Sequence, residues 1–91
     1  MEVIKSLGDV LASKINISPT AARGLIKLAI KDELGPFTII NSINLNNMQK
    51  TIQNSLMKRL NNLAIQNVET ITNSLLTHLK EIQSLITMAN V

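Results

Sequence analysis

Cysteine, tryptophan and tyrosine are absent from this 91-residue chain, and Phe37 is its single aromatic residue. Without thiols the chain has neither a disulfide framework nor a thiolate metal site, which suits a reducing intracellular compartment, cytoplasmic or nuclear. With one ring it cannot stack successive bases, as single-stranded DNA and RNA binders do. No apolar run approaches the length of a membrane span, and residues 1–16 carry Glu2, Lys5, Asp9 and Lys14 where a signal peptide has an apolar centre. A chain that is neither membrane-bound nor secreted is expected. Glycine-rich phosphate loops, paired acidic metal motifs and dinucleotide fingerprints are missing too, so no cofactor and no metal are expected.

Leucine and isoleucine are abundant instead, and hydrophobic residues make up 45% of the chain. That is enough for one modest aliphatic core in a single domain spanning residues 1–91. Nine Lys and Arg against six Asp and Glu give a net charge of +3, which favours a polyanionic partner without establishing one.

The apolar spacing predicts four helices. Val3, Ile4, Leu7, Val10, Leu11 and Ile15 recur at three- and four-residue steps, so a first helix runs from about Glu2 to Lys14, weakened by Gly8 at about 1 kcal/mol relative to Ala. Ser18 and Pro19 give a second helix its cap and its first position. That helix buries Ala22, Leu25, Ile26, Ala29 and Ile30 and stops at Gly35-Pro36. Phe37, Ile39, Ile40 and Ile43 lie in a connection read as a packed loop. A third helix starts near residues 44–47 and presents Met48, Ile52, Leu56, Leu60 and Leu63. Asn67 caps a fourth presenting Val68, Ile71, Leu75, Leu79, Ile82 and Ile86. The expected fold is all-α: a compact bundle of about four helices, with a C-terminal antiparallel hairpin supporting the N-terminal pair.

The hairpin contains an internal echo. TIQNSLMKRLNNL (51–63) and TITNSLLTHLKEI (70–82) match at six of thirteen positions. Either a helical unit is duplicated, or two amphipathic helices drawn from the same few residue types coincide.

The stretch LASKINISPTAARGLIKL (11–28) brings a helix end, a turn and a proline-opened helix within a few residues. Leu11, Ala12, Ile15, Ile17, Ser18, Ala22 and Leu25 fall where the helix-turn-helix signature has its small, buried and helix-opening residues, and the stretch resembles that family of DNA-binding regulators. Asn16 stands at the corner where the family usually has glycine, and asparagine tolerates left-handed geometry. The resemblance implies a DNA-reading second helix in a transcription or replication accessory role. Thr20, Arg23, Lys27 and Lys31 point outward on that helix, a basic stripe suited to phosphates of double-stranded DNA, with Arg23 placed to reach a guanine edge. The alternative is a helical protein-interaction module, or a subunit of a larger assembly, meeting its partner through Leu28, Leu76 and Leu85. Homodimerisation through the hairpin is open in either case. No enzyme is expected, since His78 has Ser74 one turn away but no evident acid to orient it.

Replacing Ser18 by Ala should destabilise the fold by about 1 kcal/mol through loss of the cap. An unchanged denaturation midpoint would remove this helix boundary.

Overall fold

The computed structural model of the chain describes residues 2–38 and 43–89, the side chains of Glu2 and of residues 83–89 excepted. Helix α1 (Glu2–Ile15) turns sharply into α2 (Pro19–Leu34). After the connection, α3 (Leu45–Lys50), a π-helical segment (Thr51–Leu56) and α4 (Met57–Asn62) run on as one rod, and α5 (Val68–Ala89) folds back against it and against α1. No strand occurs among the described residues, and the all-α bundle of four helical rods follows the sequence pattern.

Side chains from all four rods meet in one aliphatic core. Ile4, Leu7 and Leu11 come from α1, Ile26 and Ile30 from α2, Ile52, Leu56 and Leu60 from the third rod, and Leu75 and Leu79 from α5. Each such side chain contributes about 1.5–3 kcal/mol when withdrawn from water, so helices of low individual stability are held by their shared seam.

The π segment of the third rod keeps its buried residues on one stripe. Met48, Ile52, Leu56 and Leu60 are all buried, each four residues after the last. At about 100° per residue an α-helix overshoots a full turn by about 40° at each such step, and the stripe would drift off the core. The wider i→i+5 winding between Thr51 and Leu56 removes that drift. Helix α5 begins with a three-residue step and continues with two of four, through Val68, Ile71, Leu75 and Leu79, so its stripe drifts less and it carries no such segment among the described residues. Widening also turns Thr51 into the core, where its hydroxyl donates to the Asn47 carbonyl at 2.8 Å. Thr72 is buried as well and donates to the Glu69 carbonyl at 3.1 Å. Neither hydroxyl is left unpaired.

The echo in sequence becomes equivalence of faces. Ile52 and Ile71, Leu56 and Leu75, and Leu60 and Leu79 are buried in pairs; Met57 and Leu76 are both half-buried; Asn54 and Asn73 are both exposed. The registers part at the first turn, where Thr51 is buried and its counterpart Thr70 is exposed. That offset coincides with the π segment.

Two expectations need correction. Leu63 does not extend the core stripe: it is 54% exposed, because the rod ends at Asn62. Ala64 takes a left-handed φ of 59°, the Ile65 N–H donates to the Leu60 carbonyl at 3.1 Å, and the Ala64 N–H donates to the Asn61 carbonyl at 3.0 Å. These bonds make a Schellman closure and send the chain away with Ile65, not Leu63, packed on the core. The connection after α2 is not packed throughout, either. Gly35 (φ 108°) ends α2 and its carbonyl accepts both the Thr38 N–H (3.3 Å) and the Thr38 hydroxyl (2.9 Å), which turns Phe37 outward to 94% exposure. Ile43 is buried; Ile39 and Ile40 lie outside the described residues.

Alanine is a poor occupant of the left-handed position at residue 64, where its Cβ is strained and glycine's absence of one is an advantage. Ala64→Gly should therefore raise stability by up to about 1 kcal/mol, after the larger entropy of the unfolded glycine variant is deducted. A denaturation midpoint at or below that of the parent would contradict the assigned closure.

Candidate nucleic-acid interface

The corner between α1 and α2 is built by the backbone. Asn16 takes a φ of 60°, and the Ile17 N–H reaches back to the Ala12 carbonyl at 3.2 Å, closing α1 in the same manner as the rod ending at Asn62. Ala12 is buried, while Ile15 and Ile17 pack part-buried against the core on either side of Asn16. Ser18 then caps α2: its backbone is extended and its hydroxyl accepts the Ala21 N–H at 3.1 Å, with Pro19 in the first turn. Leu11 and Ala22 are fully buried and Leu25 is part-buried against the core. Every residue that carried the resemblance thus lies at a corner or in the core.

The four outward residues of α2 divide. Thr20, Lys27 and Lys31 are exposed. Arg23 is not a projecting side chain: it lies half-buried across α1, its Nη2 donating to Asp9 Oδ1 at 3.4 Å, its Nε buried without a partner. Gly8 makes this possible. A Cβ there would stand 2.6 Å from Arg23 Cγ and 3.3 Å from the Arg23 backbone nitrogen, so the glycine that weakens α1 is also the bed on which the arginine stem lies. Gly24, on the outer side of α2, has open space where a Cβ would be.

Charge around the lysines is arranged by α4. Arg59 Nε donates to Asp32 Oδ2 at 2.6 Å, which draws that carboxylate toward α4, and Glu33 has a buried, unpartnered Oε1. Among the described residues neither Lys27 nor Lys31 has an ion-pair partner. Two exposed cations one turn apart therefore remain on α2.

Of the residues named for a protein partner, Leu28 is 44% exposed between the two lysines, and Leu76 is part-buried against the core. The Leu85 side chain lies outside the described residues.

His78 behaves differently from expectation. Ser74 donates to the Thr70 carbonyl at 3.0 Å, and the serine at His78 is Ser6 of α1, with Oγ 2.7 Å from Nε2. Glu81 Oε2 lies 3.8 Å from Nδ1. The order resembles a hydrolytic triad, yet the amides of Ser6 and Leu7 lie inside α1 and are committed to helical bonds, so they offer no oxyanion donors. The contact works as a side-chain bridge between α1 and α5. A groove of about 490 Å³ beside it, lined by Val10, Lys14, Asn73, Thr77 and Glu81 among others, lies along the α1–α5 seam and not on the α2 stripe. Sequence reasoning missed Ser6 and Asp9 as partners because both pairings cross between helices, and periodicity within one helix does not show which faces of two helices meet. Among the described residues no group of three or more His, Asp or Glu is placed to hold a metal ion, and no helix is long and apolar enough to cross a membrane.

The two glycines give opposite expectations for the same substitution. Gly24→Ala should stabilise by up to about 1 kcal/mol, the helix-propensity difference. Gly8→Ala should destabilise by about 1–3 kcal/mol despite the same propensity gain, since the methyl group overpacks against Arg23. Chemical denaturation of both variants measures this, and a stabilised Gly8→Ala would show that Arg23 does not lie on Gly8. Comparison with protein-family models, curated proteins and solved structures returns no match to this chain.

Proposed function

We propose that this domain is a non-enzymatic binding module that docks α2 on double-stranded DNA, in an accessory role in transcription or replication. Support comes from one observation above all: the left-handed Asn16 corner leads into a Ser18-capped helix whose outer side offers Thr20, Lys27 and Lys31 to solvent. A convex helix presenting a hydroxyl and two cations suits a groove lined by phosphates, which requires no pocket. The net charge of +3 favours the encounter.

Arg23 enters this reading in a reduced role, since its guanidinium is held to Asp9. A protein-interaction module, the second reading, is favoured by Leu28 among the lysines and by Phe37 on its hydrogen-bonded turn. It becomes the better account if duplex binding is absent.

Replacing Lys27 and Lys31 by Gln should weaken binding to all duplex sequences alike and reduce the slope of log K against log salt by about 0.9 for each phosphate no longer neutralised. A salt-varied titration of purified domain with duplex DNA measures both effects. Binding by the parent domain no tighter than about 10⁻⁴ M at physiological salt, the weak edge of non-specific affinity, would overturn the reading.

A further inference from the structure

We propose that Asp9 is a positioning residue that restrains Arg23, so that the arginine is withheld from indiscriminate phosphate contact. The inference rests on the DNA-binding reading and concerns regulation of that same surface. Three observations on separate atoms carry it. Gly8 leaves room for the Arg23 stem to lie down across α1, where any Cβ would meet it. Asp9 Oδ1, on the next residue of α1, accepts from Arg23 Nη2 at 3.4 Å. Arg23 Nε is buried and unpartnered, which closes the side edge of the guanidinium to any ligand.

About a third of the Arg23 side chain remains exposed, at 34%, and Asp9 is 53% exposed, so the restraint operates at the surface in competition with solvent and salt. A phosphate approaching α2 must compete with Asp9 for the same permanent charge. Lys27 and Lys31 have no such rival among the described residues and supply the ordinary phosphate contacts. Arg23 adds to them only when the surface approaching it displaces a carboxylate already in place. Asp9 thereby lowers affinity for arbitrary duplex and leaves a larger share of binding to surfaces that fit.

The experiment is a double-mutant cycle on binding to an arbitrary-sequence duplex, using the full chain with Asp9→Asn, Arg23→Gln and both changes, each checked for helical content by circular dichroism. Asp9→Asn should strengthen binding by about two- to fivefold, the size of an exposed ion pair, and steepen the salt slope by about 0.9, the increment for one more neutralised phosphate. In the Arg23→Gln background the same change should give at most a small part of that increase. An equal increase in both backgrounds would mean that removing a negative charge is the whole effect and would overturn the restraint while leaving the DNA reading intact. No increase in either background would overturn it too. Absence of duplex binding by every variant would overturn the functional reading together with the inference.

Discussion

One backbone hydrogen bond sets the arrangement on which the interface depends. The Ile17 N–H to Ala12 carbonyl bond, made across a left-handed Asn16, ends α1 and fixes where α2 begins. Given that corner, Ser18 is in place to cap, Pro19 is harmless in the first turn, and the Ala22, Ile26, Ala29 and Ile30 stripe faces the core. The opposite side of α2 is then surface by geometry alone. A residue unable to hold φ near 60° at position 16 would move every outward side chain of α2 relative to α1.

The corner is legible in the sequence because its devices are local. Asparagine in a turn, a serine cap and an N1 proline act within a few residues of themselves, and the mixed three- and four-residue spacing of α1 and α5 declares their buried faces. The third rod is legible as a helix but not in its winding, although the run Met48, Ile52, Leu56 and Leu60 holds a clue: three four-residue steps in succession drift by about 120° around an ideal α-helix. Leu63 departs from expectation for a related reason. Its spacing continues the pattern, but the closure over Ala64 ends the helix first. Alanine gives no warning of a left-handed position, as glycine or asparagine would.

Pairings between helices are not legible at all. Asp9 with Arg23, Asp32 with Arg59, and Ser6 with His78 join residues 14, 27 and 72 positions apart. Arg59 and His78 occupy equivalent places in the 51–63 and 70–82 segments, and each reaches out to a different N-terminal helix. The repeated pattern thus holds both members of the α1–α2 pair, one from each rod of the hairpin. The two ion pairs, Asp9–Arg23 and Asp32–Arg59, are exposed and contribute little stability individually, about 0.2–1 kcal/mol each. The same reasoning turns Gly8 from an apparent defect of α1 into the space that Arg23 occupies.

The exposed side of α2, on this proposal, is the surface that meets duplex DNA. Mapping backbone amide shifts by nuclear magnetic resonance during a titration with a short duplex tests it most directly, because such shifts report location independently of affinity. Perturbations are expected to concentrate between Ser18 and Lys31, strongest near Thr20, Lys27 and Lys31, with α5 little affected. Perturbations confined to α5 and the Phe37 turn, or none at duplex concentrations that saturate ordinary non-specific binders, would contradict the proposal.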